Sequence, residues 1–248
     1  MTAEVGRARP LSGRRVLITG ASSGMGEAVA RAAVSAGAQV ALLARSADRL
    51  AQLADELGAV AVPADVTDVE ATRDAVAAAA GSLAGLDAIV ASAGVARPGT
   101  VAGGDATDFK LMLDVNVLGL LHSVQAALPH LIDSGVGDVV VLSSMSGRRV
   151  PRGEMGVYSG TKFAVHAIAE GLRLELDEQP VRVTTIAPGY VDTAIADDVS
   201  GEQGEAFRDA VASHGMAPST VASLIVTALA APREAELVEL AVLPTGEA

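Results

Sequence analysis

Tyr158 and Lys162 stand four residues apart in the stretch GVYSGTKFAV, at the start of an apolar, helix-like run. On a helix that spacing stacks two side chains on one face, one turn apart. The pair is then either an ordinary wet-face pair or an acid with a cationic partner, built for proton transfer. A phenol titrates near 10 when unperturbed, which is high for rapid exchange at neutrality. A neighbouring ammonium favours the phenolate and draws that value down. Two further groups fit such chemistry. The serines of LSSMSG offer a hydroxyl that can donate to an oxygen gathering charge. Asn116, inside the apolar run LMLDVNVLGLLHSV, is a poor helix residue whose presence hints at a kink or a buried bond.

A second cluster lies near the N-terminus. Gly20, Gly24 and Gly26 in TGASSGMGEA follow a β-branched run and open a helical one. Glycines there let the backbone turn tightly and approach a pyrophosphate, while the helix N-terminus offers free N–H groups and a positive dipole end. Strand before and helix after is the context that separates such a loop from a plain glycine-rich turn. The next strand ends in VALLARSADRL, where Arg45 follows Ala44 and no carboxylate stands to receive a ribose 2′-hydroxyl. Arg45 suits a 2′-phosphate, so NADP (NADPH) is expected rather than NAD, the other reading being a solvated charge at the helix entry.

These groups need a frame. Apolar strand-like runs fall at Arg15–Thr19, Gln39–Leu43, Val60–Pro63, Ala88–Ala91, Asp138–Ser143, Arg182–Ile186 and Leu237–Leu243. Helical patterns fall between them, at Gly24–Ala36, Ala47–Leu57, Asp68–Ala80, Asp108–Ser134, Gly156–Glu178 and Pro218–Ala230. Strands alternating with helices predict an α/β fold, and wholly apolar strands predict helices on both faces of the sheet. The expectation is a single doubly wound Rossmann-type domain over residues 11–248, with a mostly parallel seven-stranded sheet. Residues 1–10 read as a disordered tail, and Ala194–Ala217 as a lid over the site.

Composition excludes several classes. The 248 residues carry a net charge of −12 and only 2 % aromatics, which argues against binding a phosphate backbone or stacking bases. Without cysteine there is no disulfide framework and no thiol nucleophile. MTAEVGRARP lacks the apolar core of a signal peptide, and the apolar runs fall short of the roughly 20 residues a membrane span needs, so a cytoplasmic setting with no membrane partner is expected. His122, His130, His166 and His214 lack metal-ligand spacing and read as surface or interface residues, with no metal site.

With these fragments assembled, the chain resembles the short-chain dehydrogenase/reductase family of the one-domain type, from Arg15 to about Pro244. The resemblance rests on TGASSGMG, ADV at Ala64–Val66, ASAG at Ala91–Gly94, DVNVLG, LSSMSG, Tyr158-x-x-x-Lys162 and PGYVDT, all in the family's order. It implies exchange of hydride between a nicotinamide and a carbonyl or alcohol: a reversible, NADPH-dependent reductase of ketones or aldehydes. Within the family, YSGTKFAV and the tail LAVLPTGEA look closest to clavulanate-aldehyde reductases and hydroxy-acid dehydrogenases. A hydroxy-acid dehydrogenase is accordingly the alternative; an idle NADP-binding sensor or scaffold is the rival from another class.

Position by position, the resemblance assigns acid/base chemistry to Tyr158, its ammonium to Lys162, the oxygen-binding hydroxyl to Ser144 and a water relay to Asn116. It assigns cofactor contacts to Gly20, Ser22, Ser23, Gly24, Met25, Gly26, Arg45, Asp65, Val66, Ser92, Ala93 and Gly94. Tyr158, Lys162, Pro188, Gly189, Val191 and Thr193 would follow along the nicotinamide side. Substrate contacts are expected at Met145, Val150, Met155 and Tyr190, and a small-molecule carbonyl or alcohol is the partner, with pairing into a homotetramer or homodimer. The chain departs from the family at Ala91-Ser92, where Asn-Asn is common, and in a loop from Ser144 to Tyr158 that is one residue longer. The arginines of SGRRVPRGEMG read as a solvated basic turn, with an anionic substrate as the other reading.

Overall fold

The β-branched and aliphatic runs become seven strands: β1 Arg15–Thr19, β2 Gln39–Ala44, β3 Val60–Pro63, β4 Ala88–Ala91, β5 Gly137–Leu142, β6 Val181–Pro188 and β7 Glu239–Val242. The computed structural model describes residues 9–193, 195 and 201–246. All the pairings are parallel, in the order β3-β2-β1-β4-β5-β6-β7. Central strands of such a sheet lie between two layers of helices, which is why β4, β5 and β6 are buried throughout their length. The helices are α1 Gly24–Ser35, α2 Ala47–Leu57, α3 Val69–Leu83, α4 Ala106–Leu113, α5 Gly119–Asp133, α6 Gly156–Glu175, α7 Gly201–His214 and α8 Pro218–Leu229.

The pleat sends alternate side chains to the two layers. Val16, Ile18, Val40 and Leu42 point to one face, packed with Val29 and Ala33 of α1 and with Val221 and Ile225 of α8. Leu17, Leu43, Ile89, Val139 and Val141 point to the other, against Val76 of α3, Val124 of α5 and Val165 of α6. Chain winding reverses between β1 and β4, whose ends Thr19 and Ala91 lie side by side. In open α/β sheets, that crevice beyond the carboxyl ends of the strands is where ligands bind.

The opposite end of the sheet is closed by charge. Asp138 at the start of β5 accepts from Arg14 at 2.5 Å, from Arg182 at 2.8 Å and from Arg233 at 3.2 Å. Asp87, just before β4, accepts from the backbone and the guanidinium of Arg15. Burial alone would push the Asp87 carboxyl up, but these bonds from Arg15 hold it below its ordinary range.

Two expectations change, and two more fall partly outside the described residues. The single helix expected at Asp108–Ser134 is two helices joined by a π turn, Asp114–Leu118. The run Ala106–Asp133 is long and apolar enough to cross a bilayer, but 44 % of its most apolar 18-residue window is buried within the fold. Of the expected tail, residues 1–8 lie outside the described residues, while Arg9 accepts from the N–H of Ser12 in a turn that leads to buried Leu11. Of the expected lid, residues 194 and 196–200 lie outside the described residues, and α7 occupies much of the rest.

Candidate active site

The phosphate loop is shaped by close backbone approach. Gly20 and Gly24 have φ of +64° and +54°, conformations that side chains rarely adopt. A Cβ on Gly26 would stand 2.3 Å from the carbonyl oxygen of Gly20, so only glycine lets α1 start this close to β1. Ser23 caps α1 without a side-chain hydrogen bond, which leaves the first N–H groups of the helix for an anion. Arg45 is exposed just past β2 and makes no ion pair among the described residues. Arg49, one turn on and missed by sequence reasoning, is a second cation at this edge. A dinucleotide with a 2′-phosphate fits these groups: a tight glycine cradle, a helix N-terminus and unpaired cations.

The neighbouring contacts are held by their own bonds. Asp65 accepts from the N–H and hydroxyl of Thr67, both near 3 Å, which fixes the turn after β3. Val66 packs where a Cβ on Gly119 would clash at 2.6 Å. Thr19, unremarked in the sequence, accepts from the N–H groups of Ser92 and Ala93, while the Ser92 hydroxyl donates to the Thr19 carbonyl. Thr193 lies against Gly24, bringing the segment after β6 over the glycine loop. That segment is pinned by the Met216 N–H donating to Tyr190 and the Asp192 N–H donating to Met216.

The remaining candidates converge where β5 ends and α6 begins. Lys162, 6 % exposed, donates its ammonium to the Leu142 carbonyl at 2.9 Å and lies 6.0 Å from the centre of the Tyr158 ring. Burial pushes the Lys162 ammonium down to about 8. It pushes the Tyr158 phenol up to about 12, against the smaller opposite effect of the neighbouring Ser144 hydroxyl. The depressed phenol expected from the ammonium is therefore not what the protein itself provides, because desolvation dominates. Ser144 accepts from the N–H of Ser146 at 3.0 Å, which holds its hydroxyl at the cleft beside Tyr158.

Asn116 is 2 % exposed and sits in the π turn. Its amide clamps Val95, accepting from the N–H at 2.8 Å and donating to the carbonyl at 2.9 Å, and also donates to Thr161 at 3.1 Å. The kink and the buried bond are one device: the wider turn presents the amide to the chain leaving β4.

A cleft with about 810 Å³ of empty space, its open mouth included, ends on Ser144 and Tyr158. Met25, Met145, Met155, Pro188, Gly189, Tyr190, Val191 and Thr193 line it together with Ala96, Ile195 and Pro151. Val150 does not; it is 54 % exposed, while Arg149 and Arg152 on either side of it line the cleft. His166, expected at the surface, is instead bonded to Ser143, which also lines the cleft.

The short-chain dehydrogenase family model matches residues 14–204. An uncharacterised oxidoreductase of Staphylococcus aureus (strain USA300) is 33 % identical over 94 % of this chain and 98 % of its own. A short-chain dehydrogenase from Burkholderia cenocepacia, solved with NADP, superposes with a TM-score of 0.83 at 32 % identity, covering 94 % of this chain and 97 % of that one. A serine dehydrogenase in closed form with NADP+ gives a TM-score of 0.88 at 28 % identity, over 94 % and 96 % of the two chains. The Rossmann-type sheet, the glycine cradle and these matches together make the chain an oxidoreductase of the short-chain dehydrogenase family.

Proposed function

We propose that the protein reduces a ketone or aldehyde to an alcohol with NADPH, reversibly. The observation that carries this reading is that Ser144 and Tyr158 line one cleft with Met25 of the glycine loop and the Pro188–Thr193 segment, the Lys162 ammonium lying 6.0 Å from the Tyr158 ring. When bound, the reduced nicotinamide supplies the hydride. Tyr158 holds its proton at neutrality, since burial lifts its titration to about 12, and is therefore poised to donate to an oxygen gaining charge. Ser144 donates to the same oxygen as a fixed dipole. Lys162, anchored on Leu142, brings positive charge beneath the site and has further donors for ribose hydroxyls. Asn116 keeps the chain after β4 in place through Val95.

Arg45 would take the 2′-phosphate, Asp65 and Val66 the adenine side, and Ser92, Ala93 and Gly94 the adenosine. Met145, Met155 and Tyr190 remain the substrate contacts. One observation favours a second reading, a hydroxy-acid dehydrogenase: Arg149 and Arg152 line the same cleft and suit a substrate carboxylate. The serine dehydrogenase among the structural neighbours acts, by its name, on a compound that carries one.

The test is a panel of ketones and aldehydes, each acid paired with its methyl ester, followed by nicotinamide absorbance with NADPH or NADH. Turnover of carbonyls with NADPH is expected, and Tyr158→Phe should lower it about 100- to 10,000-fold while leaving NADPH binding near native. Near-native turnover in that variant would overturn the mechanism. Preference for acids over their esters would decide for the second reading.

A further inference from the structure

Ser143 sits between two groups that the proposed reaction needs. The carbonyl before it, Leu142, accepts from the Lys162 ammonium at 2.9 Å, and the hydroxyl after it, Ser144, lines the cleft beside Tyr158 and draws its phenol down. Whatever fixes Ser143 fixes both. Its N–H donates to the Ile186 carbonyl at 2.8 Å, and its side chain, 3 % exposed, lies 3.2 Å from the Lys162 carbonyl and 2.8 Å from Nδ1 of His166.

His166 follows Lys162 by one turn of α6, and its Nδ1 also lies 3.1 Å from the Lys162 carbonyl. Its other nitrogen, Nε2, faces Glu239 of β7 at 3.1 Å. A carboxylate oxygen only accepts, so Nε2 carries a proton, and in the neutral ring Nδ1 accepts the hydroxyl proton of Ser143. Glu239 is held in turn by Arg148, whose Nε donates at 2.7 Å to the same oxygen, Oε1, that faces His166. Arg148 belongs to the turn that follows Ser144. The ring also fills the space above Gly147, where a Cβ would stand 2.4 Å from Nδ1. His166 thus touches the chain on both sides of Ser144, at Ser143 before it and at Gly147 after it, and ties both to α6 and β7.

We infer that His166 is a positioning residue for the reaction, acting through Ser143 to hold Ser144 and the Leu142 carbonyl in register with Tyr158 and Lys162. This rests on the function proposed above. Ser143 and Glu239 are the other members of the device, and none of the three needs to touch the substrate.

The test uses His166→Phe, which keeps a planar ring but removes both polar contacts, Ser143→Ala, which removes one oxygen, and His166→Gln, which restores a donor and an acceptor. Each purified protein is assayed for kcat, for the KM of carbonyl and NADPH, for melting temperature, and for the pH profile of alcohol oxidation. Misplacing reacting groups by about 1 Å can lower rate about 100-fold, so kcat should fall about 10- to 100-fold in the Phe and Ala variants. The KM for NADPH should change less than kcat, since the glycine loop and Arg45 are untouched and only the Lys162 contact to the ribose is disturbed. The pH profile should move to higher pH, because a displaced Ser144 no longer favours the Tyr158 phenolate. His166→Gln should recover part of the rate. Native kcat and a native pH profile in the Phe and Ala variants would overturn the inference, even if their melting temperatures fell. Should His166→Phe fail to fold, Ser143→Ala decides in its place, by the same two readouts.

If the native protein turns over no carbonyl, the proposed function has failed, and Tyr158 itself becomes the readout. The chain has two tyrosines and no tryptophan, so in a Tyr190→Phe background the ultraviolet tyrosinate signal belongs to Tyr158 alone. Adding His166→Phe should lower the tyrosinate fraction at a fixed alkaline pH, and an unchanged fraction would overturn the inference.

Discussion

Arg45 extends from the tip of β2 with no carboxylate partner among the described residues, and the side chain that follows a second Rossmann strand decides which ribose fits. Exchanging it for aspartate should weaken NADPH far more than NADH, by about 1.5–3 kcal/mol for the lost charge-assisted bond alone. Equal binding of both cofactors by the native protein would contradict the assignment. Lys162 and Tyr158 make a further expectation at this scale. Lys162 titrates near 8 in the fold against 10.5 ordinarily, so between those values the unfolded chain holds more protons and stability rises with pH. Tyr158 titrates near 12 against 10.0 ordinarily, so from 10 to 12 the fold holds the extra proton and stability falls. The contribution of this pair therefore climbs from about pH 8 to about pH 10 and declines beyond. Melting temperatures of the native protein and of Lys162→Met should show it: the native advantage grows over the first interval. A flat difference would mean that Lys162 is not desolvated. The Tyr158–Lys162 pair was legible in the sequence by its four-residue spacing, whereas Ser144 was reached only through the family resemblance. His166 and Thr19 were not, since their partners Ser143, Glu239, Ser92 and Ala93 are brought to them only by the sheet.

At the scale of elements, the glycine cradle is the most constrained piece. Gly26→Ala places a Cβ against the Gly20 carbonyl and the Ser92 hydroxyl, so either β1 and α1 separate or the turn distorts. A loss of about 1–3 kcal/mol is expected from such overpacking, with weaker cofactor binding, measurable by denaturant unfolding and by NADPH fluorescence. Native stability in that variant would mean the loop is looser than its geometry. Strands were readable because each is an unbroken apolar run, and β1, β3 and β4 fall where those runs predicted. The π turn was not readable as such. A period of 3.6 fits LMLDVNVLGLLHSV from end to end, and only the buried Asn116 marks the place where one extra residue widens the turn. Val150 failed for a similar reason: nearness in sequence to Ser144 does not say which way a lengthened loop turns its side chains.

For the whole molecule, the apolar surface left over is informative. Leu113, Leu118, Leu121, Phe163 and Leu174 are 40 % to 62 % exposed, on α4, the π turn, α5 and α6. Helices that face solvent with leucine and phenylalanine are suited to pairing with a second copy, and a homotetramer or homodimer is the expected state. Light scattering at micromolar concentration should give two or four times the chain mass of 24.8 kDa, and a monomer would refute it.

The ionic clasp of Asp87, Asp138, Arg14, Arg15, Arg182 and Arg233 joins the beginnings of β1, β4, β5 and β6, as far from the cleft as the sheet allows. The molecule thereby divides its labour between two poles. At the anchored pole a changed residue strands a buried charge, so drift is penalised there. At the reactive pole, doubling the length of a loop adds only about 0.6 kcal/mol of closure entropy. Insertions and rewritten side chains between β6 and α8 are then cheap, and a lineage carrying this clasp is free to change the molecules it accepts without relearning how to fold.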